Sequence, residues 1–217
     1  MQSSSLPGSV GHGEVRHGLK ERNVYRTINV KLEGAAPIVL HNGQLADPLN
    51  EWARELSKVS RKKNKTEDDH LEMSRIEWLG GLYTDEDGDV CVPGEMIEAM
   101  VKKGAQKNKM GKLAEAGVLV DESPKLQYEG RVKPDKLDSL FGDKRFTLRV
   151  GVRVKQNRVM RTRPIFRKWS LDFALQFLPD VVSASELKES LEWSSKAVGL
   201  GNWRPKYGRF RVAEFKS

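Results

Sequence analysis

Cysteine is nearly absent from the chain: Cys91 is the only one in 217 residues. A disulfide within the chain is therefore excluded, and so is a zinc site built from several thiolates. Cys91 lies between Val90 and Val92, and this apolar setting predicts a buried residue. His12 and His17 have no cluster of cysteines or carboxylates beside them. We therefore expect neither a metal site nor another cofactor.

Long hydrophobic runs are missing as well. No stretch approaches the roughly 20 apolar residues that a membrane span needs, and the opening MQSSSLPGSVGHGEVRHG lacks the apolar centre of a signal peptide. We therefore expect a cytoplasmic protein with no membrane partner. Residues 1–20 are rich in Ser, Gly and His without periodicity, which predicts a flexible tail before one folded unit over residues 21–217.

The chain has instead an excess of positive charge. Lys and Arg number 38 against 30 Asp and Glu, for a formal net charge of +8, and this balance favours a polyanionic partner. Residues 144–169 alone hold ten Lys or Arg and no acidic residue. On paired strands these side chains would form a cationic patch for phosphates. The alternative is a solvated strand face that keeps a sheet edge from aggregating.

A helical insertion is predicted near the start of the folded unit. Asp47 followed by proline predicts the N-cap of a helix over residues 48–59. Thr66 and Asp69 have the spacing of a capping box for a second helix. We expect these two helices to make up a lobe over residues 44–81.

The remaining segments predict alternating strands and helices. VYRTINVKLEG, which starts at Val24, consists of strand formers. A short strand, VCV, leads into a helix that starts at Pro93, and Ser183 with Glu186 predicts a capping box for a later helix. Residues 121–144 are polar and rich in turns, so we expect an excursion outside the core.

The strongest alternation occurs in RFTLRVGVRVK and predicts a strand with one core face and one cationic face. The expected core face holds Phe146, Leu148, Val150, Val152 and Val154. A second long strand is predicted over residues 158–177, with a bulge or bend near Pro164. Without the insertion, the order is strand, helix, strand, strand, helix, strand. This order predicts an α+β, ferredoxin-like (RRM-like) βαββαβ fold, whose open sheet face is a common platform for single-stranded nucleic acid.

A glycine-rich stretch, VGLGNWRPKYGRFRV, precedes the last predicted strand. Gly199 and Gly201 allow backbone to approach a phosphate, while Trp203 and Tyr207 offer rings on which a base gains about 1–3 kcal/mol by stacking. The alternative is a helix end and turn with Trp203 buried. The side chains that we expect to contact nucleic acid are Lys102, Lys103, Lys107, Arg149, Arg153, Arg158, Arg161, Arg163, Arg167, Lys168, Trp203, Arg204, Lys206, Tyr207 and Arg209.

Catalytic signals are sparse. His41 could act as a general base toward an RNA 2'-hydroxyl, and Asp47 could assist phosphodiester cleavage, although a helix N-cap already explains it. The acidic stretch from Asp85 to Asp89 is typical of a turn between strands as well as of a metal loop. We therefore expect no enzyme and assign no catalytic residue.

Two of these motifs resemble one known family. VCVPGEMIEAMVKKGAQ resembles the strand-Pro-Gly-helix element of the RAMP superfamily of CRISPR proteins, and GLGNWRPKYGRF resembles the glycine-rich loop before its last strand. The resemblance covers roughly residues 24–216 and includes small, solitary proteins of phages and prophages. It implies a hand-like shape, in which the ferredoxin-like domain is the palm, residues 44–81 form a helical lobe and residues 121–144 a thumb-like segment.

The same resemblance implies a function in antiviral defence or in its evasion. Backbone-type members bind single-stranded RNA without reading its sequence and assemble head-to-tail, which implies copies of this chain or other CRISPR-type effector subunits as partners. Single-stranded DNA stays open as a ligand. Two alternatives stay open as well: an endoribonuclease that uses His41 or Asp47, and a mimic of a CRISPR subunit that acts as an inhibitor.

Overall fold

The computed structural model describes residues 25–154 and 156–216. The tail predicted over residues 1–20, together with Val24, Lys155 and the side chain of Val154, lies outside this part. The described strands are β1 Arg26–Gly34, β2 Ile38–Val39, β3 Val118–Leu119, β4 Gln127–Tyr128, β5 Thr147–Val154, β6 Asn157–Phe166, β7 Trp169–Phe177 and β8 Phe210–Lys216. The described α-helices are α1 Glu51–Ser60, α2 Glu67–Leu79, α3 Gly94–Ala105, α4 Gly111–Gly117 and α5 Ala184–Ala197. Short 3-10 segments occupy Gly43–Ala46, Gln106–Asn108 and Pro134–Leu140.

The larger sheet carries most of the core. Its strands run in the order β3-β7-β1-β8, β4 also pairs with β7, and every pairing is antiparallel. Ile28 lies opposite Leu175, and Val30 lies opposite Phe173. Since opposite residues share a face of the sheet, these buried side chains form one apolar layer. The protein is thus α+β with antiparallel sheets.

Helices α3 and α5 cover this layer and cross each other closely. A Cβ atom at Gly104 would lie 2.1 Å from Ser194 Oγ and 2.3 Å from the carbonyl oxygen of Ser190. The Ser194 hydroxyl donates to the carbonyl of Met100 at 3.0 Å. Small residues at this crossing therefore bring the helices close enough to pack Ile97 and their other apolar side chains onto the sheet.

The opposite face of the larger sheet is open, but its charges are balanced. Lys31 lies 3.7 Å from Asp172, and Glu33 pairs with Arg211. The side chains that β1 and β7 present on this face are small or polar: Thr27, Asn29, Lys31, Glu33, Ser170, Asp172, Ala174 and Gln176. This face therefore offers neither the stacking rings nor the charge excess that a nucleic-acid platform needs.

The basic strands belong to a second, smaller sheet in the order β2-β6-β5. The prediction that one face of β5 lies in the core is wrong within the strand, because Leu148, Val150 and Val152 are only half-buried. Phe146, which precedes the strand, is buried. Strand β5 forms the edge of the small sheet, and its apolar side is only partly covered. The β5-β6 pair is therefore a hairpin that extends from the core.

The long strand predicted over residues 158–177 is divided, and the division is not at Pro164. Strand β6 ends at Phe166, which pairs with Ile38 in the small sheet, and β7 begins at Trp169, which pairs with Tyr128 in the large one. The bend at 167–168 carries the chain from one sheet to the other. Pro164 lies within β6, and its carbonyl accepts from Leu40 N at 3.0 Å.

The helix starts are partly as predicted. The capping boxes of Thr66 and Ser183 are confirmed. Helix α1, however, is capped by Asn50, whose side chain accepts from Trp52 N at 3.0 Å. Asp47 instead accepts from Leu49 N at 2.9 Å in the turn before the helix, so its predicted role as the N-cap is wrong.

Two other local predictions are corrected. VCV forms only isolated bridges, Thr84 with Val90 and Cys91 with Lys125, in place of a strand. Residues 121–144 do contribute to the core, because four of their apolar side chains are buried: Leu126, Tyr128, Leu137 and Leu140. Cys91 is buried, as predicted. Within the described ranges, no helix has the length and apolar character that crossing a bilayer requires.

Candidate nucleic-acid interface

The arginines of the β5-β6 hairpin divide between its two faces. The register places Arg153 opposite Arg158 and Arg149 opposite Thr162, whereas Arg163 lies opposite Leu148 and Arg161 opposite Val150. Since opposite residues share a face and neighbours alternate, Arg149, Arg153 and Arg158 lie on one side and Arg161 and Arg163 on the other. Both faces border the free edge of β5.

Arg149, Arg153 and Arg158 are exposed. A Cβ atom at Gly151 would lie 3.3 Å from Arg158 Nε, so the Arg158 side chain extends across this glycine. Among the described residues, neither Arg149 nor Arg158 forms an ion pair with a carboxylate. Their charges are therefore available to an external anion.

Arg161 has a structural partner. Its Nη1 lies 2.5 Å from Glu77 Oε1, and the other carboxylate oxygen of Glu77 accepts from Thr162 N at 2.8 Å. Glu77 is buried, with 7% of its side chain exposed. The Glu77 carboxylate thus links α2 to β6. A substitution of Arg161 would leave this buried carboxylate without its ion-pair partner.

Arg163 connects the hairpin to the glycine-rich loop. Its guanidinium carbon lies 4.2 Å from the centre of the Trp203 ring, and its Nη1 donates to Asn202 Oδ1. Burial lowers the pKa of Arg163, with a smaller opposing effect from Glu77 and a further lowering by Arg161. Trp203 is half-buried, so it is neither a core residue nor a freely exposed ring.

The loop itself is tightly built. Leu200 is fully buried, and Asn202 N donates to the carbonyl of Val39 at 2.7 Å. Gly208 N donates to Pro37 O at 2.8 Å, and Gly208 O accepts from Leu200 N at 2.8 Å. The turn of the alternative interpretation is therefore present, but Trp203 is only half-buried, and the glycines serve close packing against the residues after β1.

The loop also presents cations. Arg204, Lys206 and Arg209 are exposed. The Lys206 ammonium lies 5.8 Å from the centre of the Tyr207 ring, whose own centre is 6.2 Å from that of Trp203. Two rings and several cations thus lie together beside Arg163.

The other predicted contacts lie in different surroundings. Lys102 pairs with Glu115 at 2.5 Å, and Lys107 lies 3.8 Å from Glu189 and 4.5 Å from the centre of the Trp193 ring. These lysines, with the exposed Lys103, belong to the α3-α5 side of the molecule. At the bend, Lys168 pairs with Glu129 at 2.9 Å, while Arg167 is exposed and donates to Lys144 O at 3.3 Å.

A pocket of about 210 Å³ lies beside the arginines of β6. We call it the His41 pocket, and it is lined by His41, Asn42, Gly43, Leu45, Ala46, Leu56, Glu77, Arg161, Thr162 and Arg163. Partial burial lowers the pKa of His41, and the positive charges of Arg163 and Arg161 lower it further. Both effects favour the uncharged imidazole. Asp47 does not line this pocket, and it is exposed.

Glu77 and Thr162 also line this pocket, and no sequence pattern predicts either of them. Glu77 lies in α2, and its carboxylate accepts from Thr162 N, 85 positions further along the chain.

The acidic side chains of the loop from Asp85 to Asp89 form ion pairs with a lysine. Lys125 lies 3.4 Å from Asp85, 2.8 Å from Asp87 and 3.0 Å from Asp89. Across residues 25–154 and 156–216, no three His, Cys, Asp or Glu side chains gather as a metal site requires.

Comparison with known protein families and with curated protein sequences matched this chain to none of them.

Proposed function

We propose that the protein binds single-stranded nucleic acid through its backbone, without reading the base sequence; RNA is the favoured ligand and single-stranded DNA the alternative. The binding region, which we call the arginine-tryptophan surface, comprises Arg149, Arg153, Arg158, Arg163, Trp203, Arg204, Lys206, Tyr207 and Arg209. The observation that carries the proposal is the contact between Arg163 and Trp203 at 4.2 Å. It joins two cationic elements that are 40 residues apart in the chain.

The chemistry of this surface suits a flexible single strand. The exposed guanidinium groups of Arg149 and Arg158, which form no ion pair with a carboxylate among the described residues, can replace the counterions of phosphates. The rings of Trp203 and Tyr207 can stack on bases of any identity. Because β5 is the edge of the small sheet, a single strand can pass around that edge and contact both faces of the hairpin. A stiff duplex could not bend so sharply without a large cost.

The family assignment belongs to the same proposal. The order of the larger sheet is β8-β1-β7, followed by β3 and β4, and α3 and α5 are the two connecting helices. This arrangement supports a ferredoxin-like palm of the RAMP type. Residues 44–81 would be the helical lobe and residues 121–144 the thumb-like segment. On this proposal, copies of the chain assemble head-to-tail along the bound strand.

The binding experiment uses two neutralised arginines. We expect labelled single-stranded RNA to bind the wild-type protein with an affinity that falls steeply between about 50 and 200 mM salt. Arg149→Gln with Arg158→Gln should weaken binding and reduce the salt slope by about 1.4, because two phosphate contacts are lost and each contributes about 0.7 on a single strand. Lys103→Gln with Lys112→Gln removes the same charge from exposed positions on the helical side and is the matched control.

The outcomes separate clearly. Equal losses in the two double variants would mean that only net charge matters, and the arginine-tryptophan surface would be wrong. Absence of RNA and DNA binding by the wild-type protein would contradict the function itself. Arg161 is unsuitable for this test because its pair with buried Glu77 supports the fold. Light scattering with and without RNA, before and after nuclease treatment, tests the head-to-tail assembly.

One observation favours a second function, cleavage of RNA. His41 lines a pocket beside Arg161 and Arg163, and its lowered pKa favours the uncharged imidazole, so it could take a proton from a 2'-hydroxyl while an arginine contacts the phosphate. Incubation with labelled RNA should then give discrete products that His41→Ala abolishes. Asp47→Ala should leave them unchanged, because Asp47 lies outside the pocket.

A further inference from the structure

We propose that a groove between α2 and the β5-β6 hairpin binds the surface around Leu113 of a second copy of this chain. Such a contact rests on the proposed function, because it joins neighbouring copies along a bound strand. The groove, which we call the α2-β6 groove, has a volume of about 850 Å³. It is lined by Glu67, Asp68, His70, Leu71, Met73, Arg149, Val159, Met160 and Arg161.

The apolar side chains of this groove are exposed to an unusual degree. Leu71 is 59% exposed and Met160 is 52% exposed. Met73 and Val159 line the same groove and are half-buried. An exposed apolar patch that is rimmed by charged residues is typical of a protein-protein contact. The α2-β6 groove therefore has the character of an interface.

The free charge of the groove is negative on its α2 side. Glu67 and Asp68 are exposed and form no ion pair among the described residues. On the hairpin side, Arg161 is paired with a buried carboxylate, and Arg149 contacts phosphate in the proposed function. Once a strand is bound, the two carboxylates are the charges without compensation. They favour a partner that is cationic.

The surface around Leu113 is both apolar and cationic. Leu113 is 46% exposed. Lys109 and Lys112 precede it in the chain, are exposed, and form no ion pair within the part of the chain that the structure describes. A leucine between the apolar side chains of the groove would bring these lysines to its carboxylates. The two surfaces are thus complementary in polarity and in charge.

The other exposed leucines outside the groove have the opposite charge beside them. Among the described residues these are Leu49 and Leu119. Each is two positions from an exposed aspartate, Asp47 and Asp121 respectively. Like charges that face each other across an interface cost affinity. Neither leucine therefore suits a groove that carries two free carboxylates.

The two surfaces lie on different parts of the molecule, so the contact is heterologous. Leu113 belongs to α4, which packs against α3, whereas the groove lies between α2 and the small sheet. Contacts between two different surfaces continue from copy to copy in a ring or a filament. Arg149 lines the groove and also belongs to the arginine-tryptophan surface. The neighbouring copy would therefore lie directly beside the bound strand.

The contact is small, and this determines when it forms. One leucine and two lysines bury far less than the roughly 1,200–2,000 Å² of a stable protein interface. Copies that are free in solution should therefore associate weakly. Copies on one strand gain a high effective concentration, so we expect cooperative binding to poly(U) and simple binding to a short oligo(U) that holds one copy.

Charge reversal on each surface tests the contact. The groove variant is Glu67→Lys with Asp68→Lys, and the helix variant is Lys109→Glu with Lys112→Glu. The readout is the ratio of poly(U) affinity to oligo(U) affinity, in which changes of net charge largely cancel. Each variant alone should lower this ratio at least about tenfold. An equal mixture of the two should restore it, because opposite charges face each other again in alternating copies.

A pair of leucine truncations keeps the test valid if lysines at the start of α2 destabilise that helix. Leu71→Ala should lower the ratio, whereas Leu49→Ala, its matched control, should leave it unchanged. Both side chains are exposed, so both variants should keep the wild-type melting temperature within a few degrees. On oligo(U), where no second copy is bound, Lys103→Gln with Lys112→Gln remains a control for RNA contact.

Four results would overturn the contact. They are a wild-type protein without cooperativity on poly(U), an unchanged ratio in Leu71→Ala, a mixture that stays non-cooperative, and a loss in the groove variant alone, which would place groove against groove. Failure of the proposed function looks different, because wild type would then bind neither oligo(U) nor poly(U). Sedimentation at high protein concentration without RNA still tests the contact in that case. Leu71→Ala should weaken a self-association that Leu49→Ala retains, and a wild-type protein that stays monomeric would overturn it.

Discussion

The Arg163 guanidinium stacks over the Trp203 ring, 4.2 Å from its centre. This contact occupies one face of the ring, and Trp203 is still half-exposed. The residue also has a positive φ of 53°, which is uncommon for a large side chain and costs of the order of 1–3 kcal/mol. A strained backbone that holds a partly open ring beside arginines is consistent with a ligand-binding role.

Two substitutions of Trp203 separate its ring from its backbone. Trp203→Ala and Trp203→Gly both remove the ring, so both should weaken RNA binding by about 5- to 150-fold, the equivalent of roughly 1–3 kcal/mol of stacking. Glycine accepts a positive φ more easily than alanine. We therefore expect Trp203→Gly to be the more stable of the two in urea unfolding. Wild-type affinity in both variants would mean that the ring serves only to pack on Arg163.

The close packing of the glycine-rich loop leads to a prediction about stability. A Cβ atom at Gly208 would lie 1.6 Å from the carbonyl oxygen of Leu200, and its φ is 74°. Gly208→Ala should therefore lower the free energy of unfolding by at least about 2 kcal/mol. Gly43→Ala is the control, because a Cβ there meets nothing within 4 Å. Its effect in urea unfolding should stay within about 1 kcal/mol of wild type; similar losses in the two variants would be inconsistent with the loop geometry.

Features coded by neighbouring residues could be predicted from the sequence. The capping boxes of Thr66 and Ser183 depend on residues three positions away, and the alternation of β1 and β7 fixes which of their side chains are buried. The turn at Gly199–Gly208 was predicted for the same reason. Each of these features is determined by local backbone preferences.

Features that depend on distant partners could not be predicted. The alternating pattern of β5 places Leu148 and Arg149 on opposite faces, but it does not show what packs against the apolar face. In the structure that face is only partly covered. The ion pair of Arg161 could not be predicted, because its partner Glu77 is 84 positions away in the chain. The strand break at 167–168 arises where the chain moves between sheets, and both strands alternate equally well. Tertiary contacts decided all three.

Burial of Cys91 leads to a prediction about its reactivity. Burial raises the pKa of its thiol to about 11, and the negative charge of Asp85 adds to the effect. Because the thiolate is the reactive form, the native protein should react with a thiol reagent at pH 8 far more slowly than the unfolded chain. A colorimetric thiol assay with and without denaturant measures this ratio. Fast labelling of the native protein would mean that the segment around Cys91 opens readily.

The lowered pKa of His41 predicts how stability depends on pH. Partial desolvation is the main cause, although part of the imidazole is exposed, and the charges of Arg163 and Arg161 add to it. Below the ordinary histidine pKa of about 6.5, the unfolded chain binds a proton more readily than the folded protein. The contribution of His41 to stability is therefore complete above this pH and declines as the pH falls below it. In urea unfolding from pH 7.5 to 5, His41→Gln should lose less stability than wild type. His70→Gln, on the exposed surface of α2, is the control for removal of an imidazole. Identical pH profiles for wild type and His41→Gln would show that the imidazole charges freely in the folded protein, contrary to its position beside the two arginines.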